Sequence, residues 1–372
     1  MTQQTISVET LFDGEKFRQY QTLYIEQGRI KAIDKTPSVL PTKSGILVPG
    51  YIDTQVNGGG GKLFNHSPDL ETLKIITKTH QQFGTTGCLP TLVTDSLEKM
   101  QQAADAIALA IQDPSLGVLG IHFEGPHLSS EKKGVHSESF IRKISKAELS
   151  IFARRDIGKV VVTVAPEMVS AAEIKSLTDI GVIVSLGHSN ASIEQTNEAL
   201  DAGATGFTHL FNAMSPFESR KPGMVGAALL HEKSFAGVIL DGIHVHPESV
   251  KLAVKSKPNM MLVTDAMPPV GCNEETFEFF GETIVKSGSK LTNNDGQLAG
   301  SALNMAQAVS NAEKLIGLGL AEAINLASRN PARFLGLAKD YGSLKIGQKA
   351  NMVLLNNERE VQNIWINGND LD

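Results

Sequence analysis

The sequence predicts an α/β protein: a closed parallel (β/α)8 barrel with a smaller β unit assembled from both chain ends. Three observations predict it. From residue 47 to about residue 342, short apolar runs alternate with stretches of helical periodicity. Four of those runs end in a residue able to bind a metal or move a proton: Val118–His127 (VLGIHFEGPH), Val182–His188 (VIVSLGH), Ala204–His209 (ATGFTH) and Met261–Asp265 (MLVTD). Short-strand patterns with no long helix occupy both termini. Open α/β sheets gather ligand residues at one strand-order reversal, whereas a barrel draws them from the C-terminal ends of many strands. The series here is of the second kind.

From Ile6 to about Ile46 the chain reads as short strands and turns, with Thr22–Gln27 and Ile30–Ile33 flanking Gly28–Arg29 as a hairpin. The far end is alike, with Ala350–Leu355 and Val361–Asn367 as short strands. Neither piece can bury a face alone, so residues 1–46 and 343–372 are expected to form one small β domain beside a 47–342 barrel.

The barrel strands are expected at Ile46–Ile52, Cys88–Leu92, Val118–Phe123, Val160–Val164, Val182–Leu186, Gly206–Thr208, Ala236–Leu240 and Met260–Thr264. Helices are expected at Leu70–Phe83, Ser96–Ile111, Ser145–Ile151, Ala171–Leu177, Ser192–Ala202 and His246–Ala253. Asp95–Ser96 and Ser189–Asn190 offer capping groups. Cys272–Leu298 interrupts the alternation with short strand-like runs and polar turns, an excursion after the eighth strand. Helices should follow at Ala302–Ile316, Ala321–Ala327 and Pro331–Leu335, the last with Asn330 as cap and Pro331 at the first helical position.

The chain has 372 residues, enough to bury roughly three quarters of the surface its unfolded form exposes. Its net charge of -6 and lack of a Lys/Arg cluster argue against general nucleic-acid binding, so an anion site should be local. Two cysteines, Cys88 and Cys272, are too few for a disulfide scaffold and are expected as reduced thiols in a cytoplasmic protein. The first residues lack a basic start followed by an apolar segment, so no signal peptide is expected. No apolar run reaches the ~18 residues of a transmembrane helix.

Glu124, His188 and His209 carry the chemistry as a set. One carboxylate and two imidazoles hold a divalent metal and leave a position open for water. Alone, each would read as a polar rim residue; at matching strand ends, together, they read as ligands. Asp265 in VTDAMPP is the candidate proton carrier beside the water that the metal activates. The first barrel strand ends with Gln55 and Asn57 on one face, where histidines would call for a second metal. The strand before Ala165–Pro166–Glu167 offers no lysine for a bridging carbamate, so a single metal is expected. Gly58–Gly61 lacks the G-x-x-x-x-G-K-[ST] pattern of a nucleotide phosphate loop.

These residues carry a resemblance over essentially the whole chain. PGYIDTQVNGGGG (49–61), HFEGPHLSSEKKGVH (122–136), SLGHSNAS (185–192), THLFNAMSPFESRKPG (208–223), LDGIHVHP (240–247), VTDAM (263–267) and LAGSAL (298–303) are similar to the amino-sugar-phosphate deacetylases of the amidohydrolase superfamily. NPARFLGL (330–337) and GSLKIGQKANMVLL (342–355) match more broadly, with Asn351 where other members more often have Asp.

The resemblance implies a TIM barrel with a β-sandwich from both chain ends, assembled as a homodimer. It implies hydrolysis of N-acetyl-D-glucosamine 6-phosphate to D-glucosamine 6-phosphate and acetate in amino-sugar metabolism, with N-acetylgalactosamine 6-phosphate as the alternative substrate. It assigns the metal to Glu124, His188 and His209, with Zn2+ expected and Fe2+ or another divalent ion suited to the same donors. Asp265 is implied as base and then acid, and His136 as the group on the acetyl carbonyl, where it would donate to oxygen gaining charge. Gln55, Asn57, Val135, Asn212, Ala213 and the Leu298–Ala299–Gly300 loop are implied at the sugar. Arg220 and His244 are implied at the phosphate, one of them supplied across the dimer interface; a guanidinium grips two phosphate oxygens at once. His246 reads instead as a cap or surface residue. A cyclic-amide hydrolase is disfavoured by the missing first-strand histidines and bridging lysine, and a non-enzymatic sugar-phosphate regulator by the intact Glu124, His188, His209 and Asp265.

Overall fold

The computed structural model describes residues 4–37 and 42–371; residues 1–3 of the expected β unit and of the segment read for a signal peptide lie outside it. Eight strands pair in parallel and in chain order: Tyr51–Val56, Thr85–Val93, Gly120–Glu124, Lys159–Val164, Ile183–Leu186, Gly206–Phe207, Phe235–Val238 and Met260–Leu262. A parallel bridge between Val56 and Ala266 joins the last segment to the first. The Asp265 N–H donates to the Gln55 carbonyl at 3.0 Å, and the Asn57 N–H to the Ala266 carbonyl at 3.0 Å. Closure therefore brings the ends of the first and last strands together. Runs such as Val160–Val164 are buried throughout, as expected for strands covered by side chains within and helices outside.

The expected first strand, Ile46–Ile52, is divided at Gly50. Lys43–Pro49 leaves the barrel and pairs with Gln4–Phe12 and Met352–Leu355, while Tyr51–Val56 enters it. A Cβ at Gly50 would lie 2.0 Å from Thr86 Oγ1, so only glycine allows the backbone to pass there. A continuous apolar run hides such a handover, because both halves are buried.

Both chain ends build one seven-stranded sheet in the order Asn369–Asp370, Val361–Ile366, Met352–Leu355, Lys43–Pro49, Gln4–Phe12, Phe17–Glu26, Arg29–Lys35. Val8, Leu11, Leu23, Ile30, Leu47, Leu354 and Trp365 from its strands form a single buried core, the terminal β unit expected from the sequence. The excursion is a three-stranded antiparallel sheet, Thr276–Phe279, Glu282–Ser287 and Lys290–Thr292. Its Phe279, Ile284 and Leu291 pack on Leu63, Val93 and Met267 at the C-terminal ends of the barrel.

The expected helices form, including Leu70–Gln81, Leu97–Ala110 and Met305–Lys314. One more, Gly223–Leu230, shows no amphipathic period because it is apolar all round and mostly buried. Two caps differ from expectation. Ser192, with Gln195, caps Ile193–Asp201, while Ser189 and Asn190 bind the Glu167 carboxylate. Asn330 lies inside the helix Arg329–Phe334 and donates to the Met260 carbonyl at 2.7 Å. His246 caps Pro247–Ser256, as read from sequence. Cys88 and Cys272 are free thiols. Among the described residues no helix is long and apolar enough to cross a membrane.

Candidate active site

Glu124 ends the third barrel strand, and His188, His209 and Asp265 follow the ends of the fifth, sixth and eighth. His188, His209 and Asp265 hold left-handed backbone conformations, with φ of 48°, 30° and 53°. Such geometry costs a non-glycine residue about 1–3 kcal/mol and persists only where the surroundings over-determine it. Here the chain turns sharply at the strand end, and the turn aims each side chain inward.

The Nε2 atoms of His209 and His188 lie 3.0 and 3.2 Å from Glu124 Oε1 and 3.0 Å from each other. Ligand atoms of the three residues fall within 4.8 Å of one another, and all three residues are buried. His188 Nδ1 sits 2.9 Å from the Lys132 carbonyl, which accepts only from an N–H. That fixes the ring proton on Nδ1 and leaves Nε2 as a lone-pair donor. A carboxylate oxygen and two imidazole nitrogens directed at one point fit a divalent cation.

Gln55 Nε2 donates to Glu124 Oε1 at 3.0 Å and to Asp265 Oδ1 at 3.1 Å. Asn57 Nδ2 donates to the same Asp265 oxygen at 2.6 Å. Both donors meet Oδ1, and among the described residues no hydrogen bond reaches Oδ2. Beneath them, buried Asp53 accepts from the Thr264 hydroxyl and from the backbone N–H groups of Thr264 and Gln55. The first and eighth strand ends are thereby locked together.

Burial pushes the Asp265 carboxyl up to about 6, helped by the charge of Glu124 and opposed by His209 and Asn57. Burial also raises Glu124, but hydrogen bonds and charge from His188 and His209 outweigh it and hold the carboxyl well below its usual range. For His209 burial acts downward, and the Glu124 carboxylate more than compensates, raising it. Burial, followed by the charge of His188, lowers His136 well below the usual imidazole range. The two carboxyls are thus pushed apart, one firmly ionised and one poised to exchange a proton.

A cavity of about 450 Å3 opens over these groups. Of the sequence-predicted residues, Asn57, Glu124, Val135, His136, His188, His209, Asn212, Ala213, His244, Asp265, Leu298 and Gly300 line it. Gln55 lies behind the wall, reaching it through Glu124 and Asp265, and Ala299 is fully buried. Arg220 is not brought to this cavity. It is exposed and lines a separate surface cavity with Asn190–Gln195 and Pro222.

Sequence reading missed the groups that aim these side chains. Thr94 Oγ1 lies 2.8 Å from His136 Nδ1, Asp241 Oδ2 2.6 Å from His244 Nδ1, and the Lys132 carbonyl holds His188. Asp241, in LDGIHVHP, was signalled only by its place three residues before a histidine. Phe279 and Gln297 of the excursion also line the cavity.

The barrel, the convergent ligand set and the adjacent carboxyl define a metal-dependent hydrolase whose chemistry sits at strand C-termini. Residues 46–371 match the amidohydrolase family, and the chain belongs to it. It is 49% identical over 327 residues, 87% of this chain and 83% of the relative, to the N-acetylgalactosamine-6-phosphate deacetylase of Shewanella sp. (strain ANA-3). It is 36% identical, over 87% of this chain and 85% of the relative, to the N-acetylglucosamine-6-phosphate deacetylase of Haemophilus influenzae. Its structure matches the crystal structure of N-acetylglucosamine-6-phosphate deacetylase from Pasteurella multocida with a TM-score of 0.94 at 34% identity, covering 98% of this chain and 99% of that one.

Proposed function

We propose that this chain hydrolyses the acetamide of N-acetyl-D-glucosamine 6-phosphate, releasing acetate and D-glucosamine 6-phosphate. The observation that carries the reading is the buried Glu124, His188 and His209 cluster with the singly free Asp265 carboxyl beside it, in a chain of this kinship. A divalent ion held by these three ligands, zinc in this proposal, would polarise the acetyl carbonyl and acidify the attacking water. Asp265 Oδ2 takes the proton of that water, while Gln55 and Asn57 keep Oδ1 occupied and the carboxyl in place. The same oxygen returns the proton to the departing nitrogen, so that the amine leaves and acetate remains.

His136 supports the carbonyl oxygen as it gains charge, and this needs a proton on Nε2. The Thr94 hydroxyl donates to the Glu124 carbonyl at 3.1 Å and so accepts from His136 Nδ1–H at 2.8 Å, which holds the ring in place; a further proton on Nε2 makes that ring an imidazolium. His244 is the candidate donor to the phosphate at the cavity wall, with Asn212, Ala213 and the Leu298–Gly300 loop around the sugar. Arg220 takes part in this proposal from a second subunit of a homodimer, since its own cavity lies elsewhere. The 47–342 barrel performs the catalysis, the terminal β domain flanks it, and the protein works in the cytoplasm.

The 49% identity to a relative named N-acetylgalactosamine-6-phosphate deacetylase favours a second reading, in which the epimeric N-acetylgalactosamine 6-phosphate is the substrate. Acetate release from both sugar phosphates and from unphosphorylated N-acetylglucosamine tests the two together. Faster release from the gluco phosphate supports the first, faster release from its epimer the second, and none from either refutes both.

A further inference from the structure

Beside the cavity wall lies a carboxylate that the reaction above does not use. Asp241 follows the seventh barrel strand, Phe235–Val238, and its side chain is 3% exposed. Oδ1 accepts from the backbone N–H groups of Ile243 at 2.8 Å and His244 at 2.9 Å. Oδ2 is 2.6 Å from His244 Nδ1. Just before it, the Leu240 carbonyl accepts from Asn311 Nδ2 at 2.8 Å, which ties this turn to the helix Met305–Lys314. His244 lines the cavity and Asp241 does not, so the carboxylate acts only through the ring. Burial pulls the Asp241 carboxyl upward, but His244 and the backbone donors prevail and hold it below its usual range.

We propose that Asp241 is a positioning residue that makes the His244 side of the cavity selective for a phosphate dianion over a neutral hydroxyl. The proposal rests on the sugar-phosphate reading above. A buried carboxylate so close to an anion subsite would repel the anion unless a positive charge stood between them. An imidazole with N–H on both nitrogens is such a charge: Nδ1–H donates to Asp241 and Nε2–H to a phosphate oxygen. With a carboxylate on one side and a phosphate on the other, each ring nitrogen meets an anionic acceptor for its N–H. A free sugar hydroxyl offers no second anion and gains little. The two backbone bonds to Oδ1 fix the carboxylate, and through it the plane in which His244 presents Nε2.

Asp241→Asn tests this in the metal-loaded enzyme, because the amide oxygen still accepts from the loop N–H groups while the charge is gone. Since charge-assisted hydrogen bonds are roughly twice as strong as neutral ones, KM for the phosphorylated substrate should rise about tenfold or more while kcat stays within about threefold. The kcat/KM for unphosphorylated N-acetylglucosamine should stay unchanged, so the preference for phosphate falls. Asp241→Ser, whose hydroxyl also accepts from the loop, gives the same readout if the amide variant does not fold. An unchanged preference, or equal losses on both substrates, overturns the role of Asp241 while leaving the deacetylase reading intact. A parent enzyme with no preference for the phosphorylated sugar overturns the sugar-phosphate reading and this proposal with it.

Discussion

The Nε2 atoms of His188 and His209 lie 3.0 Å apart, and both face the same oxygen of Glu124. Where no proton stands between them, two ring nitrogens and a carboxylate oxygen this close, in a buried place, direct their lone pairs at one another. A cation turns that repulsion into attraction. Dialysis against a strong chelator is therefore expected to abolish acetate release, and re-adding a divalent ion to restore it. His188→Ala should bind less metal by elemental analysis. An active protein free of metal whose rate ignores the chelator would sink the assignment.

Asp265→Asn retains the shape of the side chain and leaves the ligand set untouched. General acid–base groups contribute about 10²–10⁴-fold, so turnover should fall within that range while metal content stays near normal. Undiminished turnover in a metal-loaded variant would remove Asp265 from the mechanism.

Thr94→Val takes away the hydroxyl that meets His136 Nδ1. If that hydroxyl holds the His136 ring in place for the acetyl carbonyl, kcat falls about tenfold or more while metal content holds, as for loss of one oxyanion donor. Full activity in Thr94→Val would show that His136 does not need this partner.

Lys257 is 1% exposed, and its ammonium donates to the His231 carbonyl at 2.6 Å and the Ser234 hydroxyl at 2.9 Å, with no ion-pair partner among the described residues. Burial lowers it from 10.5 to about 8. Between those two values the unfolded chain binds the proton that the folded chain has released, so this residue makes stability rise with pH across that window. The difference amounts to roughly 3 kcal/mol. Thermal unfolding from pH 8 to pH 10.5 should show a steeper rise in Tm for the parent than for Lys257→Met. Parallel curves would mean that Lys257 titrates as it does in solvent.

Gly50→Ala places a methyl group against Thr86, where the chain passes from the outer sheet into the barrel. Overpacking of this kind costs about 1–3 kcal/mol, which denaturant unfolding should record. An unaffected midpoint would show that Thr86 moves aside freely.

The barrel was legible because fully buried parallel strands are continuous apolar runs and their helices are amphipathic, so period and composition separate the two. The convergence of Glu124, His188 and His209 was legible for a related reason: an ionisable residue ending an apolar strand is conspicuous. Gly223–Leu230 was not legible, since a helix apolar all round shows no period, and the split at Gly50 was hidden inside one apolar run. Thr94 and Asp241 escaped notice because a threonine or aspartate in a turn looks the same whether it supports a histidine or only its own backbone.

By itself, the sequence determined the repeating strand–helix order and the residue types waiting at the strand ends. Those are properties of local pattern and chemical identity, which the chain carries before it folds. Tertiary structure alone decided which oxygen of Asp265 stays free, which nitrogen of His188 points inward, and that Arg220 faces a different cavity from His244. The first depends on closing the barrel across 210 residues, between Gln55 and Asp265, and the second on a partner 56 residues away, and no local signal reports where such a partner will stand.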